Sequence, residues 1–241
     1  GDRIAIWSPN CVEWTITQFA AFKAGIILVN LNPAYKSSEL EYVLNKVSCK
    51  ALVIAAQFKT SNYQEILTKI APEVTQSIDK NLSAKRLPHL KHIIKIDSES
   101  QVGIHRFADL LSEPTTVQLE QLNAIAADLQ FDETINIQFT SGTTGNPKGT
   151  MLTHNNILNN GYFVGEAIHL SPHDRVCISV PLFHCFGMVM GNLACITHGS
   201  TMVYPSAVFN PLDTLTAIEQ EKCTAAYGVP TMFIAVLEHE K

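Results

Sequence analysis

The stretch Ile135-Asn136-Ile137-Gln138-Phe139-Thr140-Ser141-Gly142-Thr143-Thr144-Gly145-Asn146-Pro147-Lys148-Gly149 carries two patterns in succession. Ile135, Ile137 and Phe139 alternate with Asn136 and Gln138, the period of a half-buried β-strand. The alternation stops at Thr140. Gly142, Gly145 and Gly149 then permit backbone turns closed to other residues, and Pro147 stiffens one side of them. Thr140, Ser141, Thr143 and Thr144 place four hydroxyls within five positions, and each can donate a hydrogen bond. Lys148 adds a compact positive charge on a flexible stem. Successive backbone N–H groups in such turns form anion-binding concavities. A strand that runs into this loop is therefore expected to hold a polyphosphate. Thr150 to Thr153 returns from the loop, so a hairpin is expected.

The common phosphate loop reads G-x-x-x-x-G-K-[ST]. Here Gly149 follows Lys148 where that motif needs a Mg²⁺-binding hydroxyl, so a Walker-type NTPase is a poor reading. The stretch instead resembles, nearly letter for letter, the phosphate loop of the adenylate-forming enzymes: acyl-CoA synthetases, luciferases and peptide-synthetase adenylation domains. The flanks Ile135–Phe139 and Met151-Leu152-Thr153-His154-Asn155-Asn156 are most similar to the fatty acyl-CoA synthetase branch, of the medium-chain type. The resemblance implies ATP held by Thr140, Ser141, Gly142, Thr143, Thr144, Gly145, Asn146, Pro147 and Lys148. It also implies Mg²⁺ sharing the phosphate charge, and CoA as co-substrate. Lys148 is expected to contact phosphate rather than move a proton.

Outward from this stretch the chain alternates. Arg3–Trp7 reads as a strand. Asn10, with Glu13, reads as a helix cap and capping-box partner, and Val12, Ile16, Phe19 and Ala20 recur at helical spacing. Gly25 is a plausible helix stop. Residues 26–29 form a short apolar run, Ser38 to Val47 a helix with Leu40, Val43, Leu44 and Val47 inward, and Ala51–Ala55 a buried strand of the parallel kind. Strand, helix, strand, helix, strand is the rhythm of a doubly wound α/β sheet. Helices are expected at Tyr63 to Ile70 and Phe107 to Leu111, and a strand at His92 to Ile96. Residues up to 130 then connect to the central stretch. Thr153 caps a further helix with Ile157, Leu158, Val164 and Ile168. Strands follow at Asp174–Val180, Thr201–Tyr204 and Ala225–Val229. Helices follow at Gly187–Ile196, after Asn210-Pro211-Leu212-Asp213 with Leu212, Leu215 and Ile218 inward, and from Pro230 to Leu237.

The resemblance implies doubly wound, mostly parallel sheets with flanking helices, forming part of the large N-terminal domain of an acyl-CoA synthetase. Lobe one is expected at about 1–130, and lobe two, with the phosphate loop, at about 131–241. Phe183-His184-x-x-Gly187 follows a strand, where ligands gather in open α/β sheets. From its residues alone His184 reads more readily as a satisfied core histidine. The resemblance adds a pocket role: Phe183, His184 and Gly187 would line the acyl side of the site. Amino-acid-activating relatives tend to carry an Asp near this place, and an imidazole cannot supply that fixed counter-charge. A fatty or aryl acid is thus the expected substrate.

Composition sets the outer bounds. The chain has 241 residues, 46% of them apolar, and a net charge of −5. A sizeable core is possible, and an acidic balance argues against a nucleic-acid partner. Six scattered cysteines include no C-x-x-C pair, which is neither a disulfide framework nor a zinc site. Reduced thiols point to the cytoplasm, or to the mitochondrial matrix if a targeting segment precedes Gly1. No apolar run reaches membrane-span length. The partners expected are small molecules: ATP, a fatty acid and CoA. No Tyr-Gly-x-Thr-Glu motif and no later ribose-binding Asp follow. These residues are therefore expected to be an N-terminal part of a longer enzyme, which alone does not complete the reaction. Two alternatives stay open: an acyl-AMP ligase that loads a carrier protein, and a non-catalytic nucleotide-binding module.

Overall fold

The computed structural model describes residues 1–96, 99–140 and 146–239. Two compact units divide the chain: Gly1–Ser8 with Ile16–Leu152, and Pro9–Thr15 with Thr153–Lys241.

In the first unit the chain alternates through β1 (Arg3–Trp7), α1 (Val12–Lys23), β2 (Ile27–Asn30), α2 (Ser37–Lys46) and β3 (Ala51–Ile54). A two-residue hairpin follows, β4 (Gln57–Phe58) with β5 (Ser61–Asn62), and then α3 (Tyr63–Ile70). Next come β6 (His92–Lys95), β7 (His105–Arg106), α4 (Thr116–Asp128), β8 (Thr134–Thr140) and β9 (Lys148–Thr153). Among the described residues seven strands form one sheet in the order β7-β6-β3-β1-β2-β8-β9. The pairs from β7 through β8 are parallel. The chain steps one way from β1 to β2, then reverses across β1 to β3 and β6. That reversal is the doubly wound topology, for which right-handed crossovers call for helices on both faces.

The core on one face is built from the strands and from α2 and α3. Leu40, Val43 and Leu44 of α2 and Tyr63, Ile66, Leu67 and Ile70 of α3 meet Trp7, Val29, Leu52 and Ile54 there. Trp7 stacks on Tyr63 with ring centroids 3.6 Å apart. Both polar ends are satisfied: Trp7 Nε1 donates to Asn32 O at 3.2 Å and the Tyr63 hydroxyl to Pro33 O at 2.8 Å. Two large aromatics can thus be buried without leaving a donor unpaired.

The second unit has a three-stranded parallel sheet, β11-β10-β12, with β10 (Arg175–Ile178) in the middle of β11 (Thr201–Val203) and β12 (Ala225–Tyr227). Helix α5 (His154–Ala167) precedes it, capped by the Thr153 side chain and Asn156. A π-helix, Phe186–Leu193, runs into α6 (Ala194–His198). Helix α7 (Pro211–Gln220) starts on the cap Asn210, as its residues require, and α8 (Pro230–Leu237) starts on Pro230.

Burial adds detail to two of the expected helices and corrects two expectations. Val12, Ile16 and Ala20 of α1 lie on the solvent side, while Trp14, Thr15, Thr17, Gln18, Ala21 and Phe22 are buried. In α5 Ile157 is buried but Leu158 and Ile168 are exposed, because Gly161 and Gly165 form the close-packed face. In α7 Leu212 is exposed, Leu215 and Ile218 are half-buried, and Thr214 is the buried residue. Residues 116–128, read as a connection, are the helix α4. It has no buried residue, so no apolar stripe announced it.

Candidate functional site

The residues expected on the phosphate side follow β8. This strand is buried along Ile135–Phe139, on both faces rather than one. Strand β2 supplies an amide of its own that meets most of the polar atoms of these amides, while Asn136 Oδ1 is buried without a partner among the described residues. Asn30 Nδ2 donates to Gln138 Oε1 at 3.0 Å, and Asn136 Nδ2 donates to Asn30 Oδ1 at 3.2 Å and to Leu28 O at 3.1 Å. A paired buried amide costs little, whereas an unpaired one is expensive. The half-buried reading failed because period alone cannot show that a neighbouring strand carries a matching polar group.

At the end of β8 the Thr140 hydroxyl donates to the carbonyl of Lys148 at 3.4 Å. The short connection between them leaves room only for an antiparallel return, so β9 runs back along β8. Gly149 makes the return close: a Cβ there would lie 3.1 Å from Ile137 and 3.3 Å from Phe139. Thr140, Asn146 and Lys148 are exposed, and Pro147 is half-buried. Thr140 and Lys148 are thus brought together at the sheet margin. Ser141, Gly142, Thr143, Thr144 and Gly145 lie outside the described residues.

Phe183, His184 and Gly187, expected on the acyl side, belong to the second unit. Strand β10 stops at Ile178, and the chain then turns through Pro181. Pro181 O accepts from His184 N at 3.2 Å, and His184 O accepts from Gly187 N at 3.0 Å and from Met188 N at 3.1 Å. Gly187 is buried, and a Cβ on it would strike the Pro181 carbonyl well inside van der Waals contact. Its place in the motif is therefore steric: it lets the helix begin against the turn. His184 is exposed and Phe183 half-buried. His184 Nδ1 accepts from Phe186 N at 3.1 Å. With Nδ1 so engaged, the neutral ring carries its proton on Nε2, which is then the donor available to a ligand.

The surroundings of His184 are chemically quiet. Burial pushes the Cys185 thiol up, which keeps it protonated and unsuited to act as a nucleophile. Phe186 meets Tyr227 edge to face at 5.6 Å. The Tyr227 hydroxyl is buried without a partner among the described residues, and burial pushes it up to about 12.

Asn10 and Thr15 enter this region unannounced. Asn10 does not cap α1. Its Nδ2 donates to Val180 O at 2.9 Å, and its Oδ1 accepts from Leu182 N at 2.8 Å. Thr15 Oγ1 lies 2.7 Å from the Tyr204 hydroxyl and accepts from Asn192 Nδ2 at 3.0 Å. The Tyr204 hydroxyl in turn donates to Asn192 Oδ1 at 2.8 Å. No local sequence signal points to these partners, since each lies far away along the chain. Among the described residues no group of three or more His, Cys, Asp or Glu could hold a metal ion.

The model of the family described as "AMP-binding enzyme" matches residues 1–241. The chain is 44% identical over 239 residues to a medium-chain acyl-CoA ligase, ACSF2, mitochondrial, of Danio rerio. That match takes 98% of this chain and 39% of the relative. It is 42% identical over 239 residues to a putative acyl-CoA synthetase, YngI, of Bacillus subtilis, covering 99% of this chain and 43% of that protein. The chain therefore spans about two fifths of the length of these curated relatives. A crystal structure of a putative long-chain-fatty-acid CoA ligase from Rhodopseudomonas palustris superposes with a TM-score of 0.77 at 24% identity, over 100% of this chain and 53% of that one. It has the same fold.

Proposed function

The chain belongs to the AMP-binding enzyme family, and from that premise we propose that it serves the ATP-dependent activation of a fatty carboxylic acid. A free carboxylate resists attack by a thiol because its leaving group would be oxide. Activation replaces that leaving group. The acid's carboxylate attacks the α-phosphorus of ATP, which releases pyrophosphate and leaves acyl-AMP. The sulfur of CoA then attacks the acyl carbon, and AMP departs with the old carboxylate oxygen. The thioester is the product.

The chain's own residues have two tasks in this scheme. Thr140 to Lys148 hold the β- and γ-phosphates, which carry the charge that leaves. Hydroxyl and backbone donors with one lysine act by positioning and charge stabilisation. Phe183 and His184 line the acyl side, and Gly187 lets their turn close. A neutral imidazole with Nε2–H outward can donate to a carboxylate oxygen without fixing a charge there. Medium chain length is favoured because a relative at 44% identity is named a medium-chain ligase. That name also carries the word mitochondrial, which favours the matrix. Among the described residues no helix is long and apolar enough to cross a membrane.

The observation that carries the reading is the meeting of Thr140 and Lys148 across two hydrogen-bonded strands. It fixes both ends of a donor-rich stretch at the rim of a parallel sheet. The test replaces Thr143, Thr144 and Lys148 together by Ala in the full-length protein and follows fatty-acid-dependent ATP–pyrophosphate exchange. Loss of one preorganised donor alone typically costs about 10²–10³ in rate, so exchange should fall at least that far. Undiminished exchange would overturn the reading.

A further inference from the structure

We propose that Asn10 is a positioning residue for the acyl side of the site, acting on the reaction through His184. The inference rests on the reading of His184 as an acyl-side residue.

The argument starts where β10 ends. Beyond Ile178 the strand ladder stops, and the backbone polar groups of the following turn need other partners. Pro181 cannot donate at all. Asn10 fills the gap from outside. Its side-chain amide meets Val180 O and Leu182 N, one on each side of Pro181. One planar amide thereby does what a neighbouring strand would do. Asn10 is itself 8% exposed, and its own N–H donates to Ala207 O at 3.1 Å. It cannot swing away without leaving buried groups unpaired.

The clamp reaches His184 in one further step. With Val180 and Leu182 held, the Pro181 carbonyl between them is aimed at His184 N. Gly187 lies against the other side of that carbonyl. His184 is then placed by a hydrogen bond on its backbone and another on its Nδ1. The far end of the same segment has a second anchor. Thr15, Asn192 and Tyr204 close a ring of hydrogen bonds on the π-helix. Burial, first of all, pushes the Tyr204 hydroxyl up to about 12, so the ring holds its protons throughout the neutral range. Within α-helices, π turns are uncommon and collect at functional sites. Asn10 and Thr15 thus brace both ends of the segment that bears His184, and both are buried.

Asn10→Asp keeps the acceptor for Leu182 N but removes the donor to Val180 O and sets a carboxylate against that carbonyl. It preserves size and shape, so the protein should fold; Asn10→Ala tests the larger loss. Both are made in the full-length protein, alone and in a His184→Ala background. The readouts are kcat and separate KM values for fatty acid and ATP in ATP–pyrophosphate exchange, with melting temperature alongside. With His184 present, we expect acid KM to rise about tenfold, the scale of one unsatisfied buried group, while ATP KM stays within about twofold. With His184 absent, the same substitution should add less than about twofold, because coupled residues are not additive. Equal effects in both backgrounds, or acid and ATP KM rising together with lost folded protein, would overturn the assignment. Wild-type protein that shows no exchange with any fatty acid would instead overturn the functional reading on which it rests.

Discussion

The connection from Thr140 to Lys148 and the turn from Pro181 to Gly187 are held in different ways. The first hangs between two adjacent strands of one sheet. Its ends are tied by neighbours in sequence, and the strand that carries it is locked by an amide ladder to β2. The second begins where a strand has already stopped. It is held by a side chain from Asn10, by the bulk of a turn against Gly187, and by a ring that includes Thr15. Neighbours in sequence can tie the ends of a connection between adjacent strands almost by themselves. A turn that must present one imidazole needs partners brought from elsewhere in the fold. Damage to the first should therefore act mainly through donors and charge, and damage to the second through geometry.

The sharpest way to break this contrast is Gly187→Ala. One methyl group would overlap the Pro181 carbonyl. Overpacking of this kind costs about 1–3 kcal/mol, so a clear drop in melting temperature should accompany a raised acid KM. A variant as stable as wild type would mean that the turn yields freely and the contrast is false. A smaller effect is expected from Asn136→Leu. It removes the donor to Leu28 O and to Asn30 Oδ1 while keeping the bulk, and an unpaired buried group costs about 1–3 kcal/mol. Part of this is offset by the apolar surface gained. Urea denaturation should show a lower midpoint, and Asn30→Leu in the same molecule should restore some of it. An unaltered midpoint would show that the ladder contributes nothing to holding β8.

The smallest effect concerns the start of β10. Asp174 accepts from the Ser171 hydroxyl and backbone N–H and from the Thr224 hydroxyl. The Ser171 and Thr224 hydroxyls, first of all, hold its carboxyl below the ordinary value of 3.8. A carboxylate with a depressed folded pKa stabilises above its unfolded value, and that stabilisation is lost as pH falls through the folded one. The melting-temperature difference between wild type and Asp174→Asn should hold from neutral pH down to about 4 and vanish below that. A difference independent of pH would mean that the charge plays no part.

How far the chain could be read depended on where its information lay. Helices α2 and α3 carry apolar residues on one side, and the bounds of both and the inward residues of α2 were legible. Helix α4 buries nothing. Its one signal was the reciprocal pair of Thr115 and Gln118 at its start, which is easily passed over without an apolar stripe behind it. In α1 the apolar row Val12, Ile16, Ala20 was legible, but the side it faces was not. Gln18 and Thr15 are buried there because partners satisfy them. The π-helical start at Phe186 was read as an ordinary helix, since no propensity separates the two.

By itself the sequence determined the alternation of strand and helix, the class of sheet, and the donor-rich connection after Phe139. These rest on period, turn chemistry and local spacing, which neighbours in the chain decide. Only the tertiary structure decided which polar residues are buried in pairs, which face of α1 and α7 looks inward, and that Asn10 braces Pro181 rather than a helix end. The physical reason is that a buried amide is tolerable only with a partner, and that partner lies far along the chain, beside it only once the protein has folded.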